Sequence, residues 1–164
     1  MLPRAPFVVA CLVACVLAAA ACQDTGGTQP LVTADATSYA AYVQPVLEAR
    51  CATLDCHGNV ERPLRLYART GLRAADALRD RPFAPDEITA NVRALAAIDP
   101  GAAPEASLVI SKPLVGGEAH EGGDLWTSAD EPQVVCVRSW LAGAVDVAAC
   151  TTAAAQPEVK LRDP

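Results

Sequence analysis

Apolar residues recur at helical spacing in several stretches of this chain, and segments rich in Gly, Pro, Asp and Thr separate them. Tyr39, Tyr42, Val43, Val46 and Leu47 fall at i, i+3, i+4, i+7 and i+8, one face of a helix, with Ser38 as the expected cap. Pro45 lies inside that pattern. A proline there removes a backbone donor and crowds the preceding turn, so it should split the stretch into a short turn and a second piece over 45–50. That second piece delivers the chain to Cys51. Residues 59–69, with Pro63, Leu64, Leu66 and Tyr67, read as irregular or extended, and 71–78 as a short helix.

Pro85-Asp86-Glu87 opens a stronger helix, with acids in its first turn and Ile88, Val92, Leu95 and Ile98 on one face; Asp99-Pro100-Gly101 ends it. Pro104-Glu105 opens another, carrying Leu108, Val109 and Ile110 and stopped by Lys112-Pro113. A glycine-rich loop from Gly116 to Gly123 surrounds His120. Ser128 or Asp130 should cap a last helix running through Val135, Val137, Trp140 and Leu141 to Gly143. No repeat is present. The expectation is one all-α domain with long loops over 38–150, followed by a polar tail over 151–164.

The N-terminus follows a different pattern. Arg4 precedes an uncharged run, Ala5 to Ala21, which ends Ala19-Ala20-Ala21-Cys22. A positive end, an apolar run and small residues before a cleavage point are what export machinery reads. The ending resembles a bacterial lipobox, which implies a signal peptide over 1–21 and lipid on Cys22. Residues 22–37, polar and aperiodic, then form a flexible tether. Leu12-Val13-Ala14-Cys15 also matches the lipobox, but cleavage there would leave Val16 to Ala21 as an apolar tail. An uncleaved anchor helix is the alternative, since the run approaches spanning length. Either way the domain is expected in the cell envelope, facing the periplasm or the exterior, attached to a membrane.

Without residues 1–21 the chain carries 12 basic against 19 acidic residues, a net charge of −7. An acidic surface excludes nucleic acid as a partner, because phosphates demand a basic face. Seven cysteines occur, at 11, 15, 22, 51, 56, 136 and 150, so four remain after the lipidated one. Exported thiols need partners or modification, and four cysteines allow three pairings. Cys136 and Cys150 belong to one helix-plus-tail unit and are paired here as a disulfide. Cys51 and Cys56 stand apart, because His57 follows them directly.

Two cysteines ahead of an adjacent histidine are the means by which c-type cytochromes attach haem: thioethers to the vinyl groups, and imidazole to the iron. The usual C-x-x-C-H places the first Cys and the His four residues apart. Here Cys51-Ala52-Thr53-Leu54-Asp55-Cys56-His57 separates them by six, so the segment must bulge for all three to meet one porphyrin. The only methionine is Met1, and the mature part holds two histidines, so His120 is the candidate distal ligand. The glycines around it would let the backbone come close to the cofactor face.

Beyond that motif, the chain resembles small cytochrome c-like domains of exported bacterial lipoproteins. The resemblance rests on Tyr42-Val43-Gln44-Pro45-Val46-Leu47 leading into Arg50-Cys51 and Cys56-His57-Gly58, then on Leu64-Arg65-Leu66. It continues through Ser107-Leu108-Val109-Ile110-Ser111-Lys112-Pro113, a histidine among glycines, and Trp140-Leu141-Ala142-Gly143-Ala144. It spans most of 38–145. It implies covalent haem c on Cys51 and Cys56, His57 as proximal ligand, and first and last helices crossing near the haem edge with Trp140 between them. It also implies electron transfer with envelope redox proteins.

Other readings remain beside it. Arg62, Arg65 and Arg69 could neutralise haem propionates or simply be solvated, and Trp126 and Trp140 read as core anchors. Cys51 and Cys56 could instead close a small disulfide loop in a haem-free, disulfide-stabilised binding or structural lipoprotein, with His120 an exposed loop residue. Cys51, Cys56, His57 and His120 could also hold zinc. No nucleophile–base pair and no phosphate-binding loop is evident, so an electron carrier is favoured over an enzyme, although a haem with a free sixth position could support peroxide chemistry.

Overall fold

The computed structural model describes residues 35–98 and 101–156. The calls on the signal peptide, on Cys22 and most of the tether, on Asp99-Pro100 and on the last residues of the tail lie outside them. Within them the chain is helical, with two isolated bridges, Tyr67 with Leu72 and Leu114 with Trp126. No helix among the described residues is long and apolar enough to cross a membrane.

The first helical run has three parts. Helix α1 (Ala36–Ser38) is capped by the Asp35 carboxylate, which accepts from the Thr37 and Ser38 amides, so the cap falls on Asp35 and not on Ser38. A wide π-turn follows over Tyr39–Val43, closed by the Gln44 amide on the Tyr39 carbonyl, and α2 (Gln44–Arg50) completes the run. Pro45 accounts for the middle part. Its ring would press on the Ala41 carbonyl in a regular helix, and a turn widened by one residue relieves this without breaking the rod.

Helix α3 (Pro85–Ala96) starts at its proline with acids in the first turn, as its sequence predicts. The stretch before it differs from expectation. Only Asp76–Leu78 turns, as a 3-10 element, because the Arg73 guanidinium and the Ala74 amide are drawn onto the Glu87 carboxylate. The predicted helix after Pro104 is likewise divided. Pro104–Ala106 forms a 3-10 turn, and α4 (Leu108–Ser111) begins afresh behind Ser107, whose hydroxyl accepts from the Val109 amide.

Helix α5 (Pro132–Leu141) has Glu131 at its N-cap position, in place of Ser128 or Asp130. Gly143 follows its end at φ +76°, the left-handed conformation expected of a terminating glycine. The chain does not become a tail at residue 151. Helix α6 (Val147–Ala154), capped by Asp146, buries Cys150 and Ala153, and the Cys136–Cys150 disulfide ties it to α5 with Cα atoms 4.6 Å apart. The first helical run packs against α5, α6 and α3. Trp140 lies against Tyr39, ring centroids 5.3 Å apart, and its indole N–H donates to the Asp35 carbonyl. Both Trp126 and Trp140 are buried core residues.

Candidate functional site

The first helical run sets one wall of the site. At its end the Cys51 and Ala52 amides both donate to the Leu47 carbonyl, and the chain then curls through 52–57. The curl closes when the His57 amide returns to the Cys51 carbonyl at 2.8 Å, with Gly58 on Thr53 at 2.9 Å. The segment from Cys51 to His57 thus bulges out of helical geometry. It depends on Gly58: a Cβ there would lie 2.2 Å from the Ala52 carbonyl oxygen and 2.8 Å from that of Thr53.

His57 is fixed from several sides. Its amide is bound to Cys51, its carbonyl accepts from the Leu66 amide at 2.8 Å, and its Nδ1 meets the Leu64 carbonyl at 3.0 Å. The segment supplying those last partners is itself held by buried amides. Asn91 of α3 accepts from the Tyr67 amide (2.7 Å) and donates to the Tyr67 carbonyl (2.9 Å), while its side chain also donates to Gln44 of α2. Gln44 donates in turn to the Tyr67 carbonyl at 3.1 Å. Neither Gln44 nor Asn91 stands out in the sequence, since isolated amides carry no periodic signal.

His120 comes from the opposite side, on a strap of residues 118–124. The base of the strap is closed by Val115 on Trp126 and by Leu125 and Trp126 on the Pro113 carbonyl. Gly123 turns at φ +74°. His120 Nδ1 meets the Gly123 carbonyl at 2.9 Å. Gly122 leaves room for the ring, because a Cβ on it would lie 3.0 Å from His120 Cε1.

The two imidazoles lie close and nearly parallel, with centroids 6.1 Å apart and planes 26° apart. In each ring Nδ1 is satisfied by donating to a backbone carbonyl, so Nε2 is the nitrogen left for another partner. Burial, followed by the neighbouring His120 and Arg62, pushes His57 below its ordinary value, with the Leu64 bond acting the other way. The neutral, ligating form is thereby favoured.

Cys51, Cys56, His57 and His120 all line one partly open cavity of about 740 Å³. That is within the range of pockets enclosing cofactor-sized molecules. Its walls are largely apolar, from Leu47, Leu66, Leu95, Ile98, Val109 and Leu125. No family model, no curated protein and no solved structure matches the chain.

Both Cys51 and Cys56 are free thiols, so the disulfide loop considered for them is not formed. Burial, and to a smaller degree the Cys56 thiol, pushes Cys51 up to about 12. It is therefore a protonated thiol and a poor participant in disulfide exchange. Among the described residues no three of His, Cys, Asp and Glu form a metal-holding group, so the four-ligand zinc arrangement is not assembled.

The arginine triplet divides. Arg62 lines the cavity, bonded to Glu121 and to the Asp55 carbonyl. Arg65 bonds back to the Arg62 carbonyl, and Arg69 pairs with Glu48, both away from the cavity lining. Arg50 and Lys112 line it instead. Their positions follow from the end of α2 and the end of α4, which only the packing brings to one mouth.

Proposed function

We propose that this chain is a membrane-tethered, monohaem c-type cytochrome-like electron carrier of the cell envelope, with a small cytochrome c-like fold. In this reading Cys51 and Cys56 carry the haem thioethers, His57 is the proximal ligand, His120 the distal one, and lipid on Cys22 anchors the domain. The observation that carries it is the His57–His120 pair, ring centroids 6.1 Å apart, in the lining of the cavity that Cys51 and Cys56 also line. The residues fit the group in three respects. Nδ1 of each imidazole is taken by a backbone carbonyl and Nε2 is left for another partner, the apolar walls suit a porphyrin face, and the missing Cβ of Gly122 makes room beside His120.

Bound there, haem c would supply a one-electron couple in a water-poor setting. The protein's part is to orient and insulate. The Leu64 and Gly123 carbonyls fix the tautomer and the rotation of the two rings. Leu47, Leu66 and Val109 keep water from the faces, while Arg50, Arg62 and Lys112 bring positive charge to the same cavity for carboxylate groups. Two imidazoles set a lower potential than His with Met. The acidic mature surface would dock redox partners of complementary charge.

Expression in a host that matures c-type cytochromes tests this. The purified protein should show a six-coordinate, low-spin visible spectrum and a haem mass added to the peptide covering 51–57. A matured sample with no Soret band and unmodified Cys51 and Cys56 would refute the reading.

A further inference from the structure

The two histidines are held very differently, and this points to a ligand site. Residues 118, 119 and 121–124 are all exposed, with only His120 turned partly inward. Among the described residues the strap reaches the rest of the molecule through few polar contacts. Arg62 pairs with Glu121 at 3.1 Å, with side chains 41% and 91% exposed, and Lys112 Nζ donates to the Ala119 carbonyl at 3.4 Å. The bonds of His120 itself, Nδ1 to the Gly123 carbonyl and the Gly123 amide to its own carbonyl, stay within the strap and would move with it. His57, in contrast, is bonded to Cys51, Leu64 and Leu66. An exposed ion pair contributes little and is screened by salt.

We propose that the strap is a displaceable cover, and that a small diatomic ligand reaches the site by taking the position His120 gives up while His57 stays in place. This rests on the haem reading above. The size class follows from the space one imidazole gives up, in a lining that combines Leu108, Val109, Pro113 and Leu125 with Arg62 and Lys112. With haem bound, His120 would give up its coordinate bond as the ligand gains one, with no electron moved, and the imidazole would leave with the strap.

Two measurements test it. Hydrogen exchange on the haem-free full chain should show the amides of 118–124 exchanging at least about ten-fold faster than those of 56–58. Equal protection overturns the cover. For the loaded, reduced protein, carbon monoxide should bind with a rate that saturates in ligand, limited by strap opening. Glu121→Gln, and separately about 1 M salt on the unaltered protein, should raise that limit about two- to five-fold. A loaded protein that refuses carbon monoxide, or a limit unmoved by both changes, overturns the ligand site. Absence of covalent haem would defeat the electron-carrier reading and the ligand site with it, whereas the exchange experiment judges the strap independently.

Discussion

The segment carrying His57 and the strap carrying His120 present similar rings to one cavity by opposite means. The 51–58 curl is locked by backbone bonds, by a glycine pressed on two carbonyls, and by buried amides behind it. The strap is an exposed loop fastened at its rim. A cavity built this way has one imidazole positioned by the folding of the whole domain and another positioned by local, screened contacts. Its geometry is rigid on one side and adjustable on the other.

The largest expected effect comes from exchanging glycines. Gly58→Ala would drive a Cβ into the Ala52 carbonyl, which is backbone and cannot step aside, so denaturant unfolding should show a loss of about 3 kcal/mol. Gly122→Ala meets only the edge of the His120 ring, which can turn, and should cost under about 1 kcal/mol. Equal losses would abolish the contrast between the two segments.

Acid probes the frame behind His57. The Arg73 guanidinium, first among several causes, pulls Glu87 from 4.5 to about 2, with the Ala74 and Ala84 amides also donating to it. A carboxyl with a lower value folded than unfolded binds its proton more readily in the unfolded chain. Its contribution is therefore complete above about pH 4.5 and disappears as pH falls through about 2. That contribution amounts to about 3 kcal/mol. Stability measured between pH 6 and 2 should decline accordingly, and Glu87→Gln should flatten the decline while lowering stability at neutral pH. If the variant kept the full decline, Glu87 would not be the group responsible.

Smaller again is the effect of deleting each ring from the haem-free protein. His57→Ala removes the Leu64 bond and should cost about 1 kcal/mol. His120→Ala removes a bond internal to an exposed loop and should stay within about 0.5 kcal/mol. Chemical denaturation of both variants gives the comparison directly, and a costlier His120 deletion would reverse the assignment of rigid and adjustable sides.

Much of the helical content was legible in the chain. Pro85 with Asp86 and Glu87 announced α3, and the apolar spacing from Tyr39 to Leu47 announced the first run. Local rules failed where a distant partner competed. Residues 71–78 lost their helix to Glu87, and 104–111 broke at Ser107, whose own side chain starts a new cap. Helix α6 was missed because an alanine-rich stretch, Val147–Ala154, shows little apolar contrast between its faces. Of the site, Cys51, Cys56, His57 and His120 were readable as chemistry, yet the amides of Gln44 and Asn91 and the cavity-lining Arg50 and Lys112 were not.

By itself the sequence determined which residues are candidates for chemistry and that a helix leads into Cys51, because donor types, periodicity and proline placement are local properties. Tertiary structure decided whether those residues meet. The curl that brings His57 back to Cys51 needs the Ala52 carbonyl clear of any Cβ on Gly58, and the 6.1 Å approach of His120 needs a loop anchored 63 residues further along the chain. Such approaches are set by the packing of remote segments, and no local pattern encodes them.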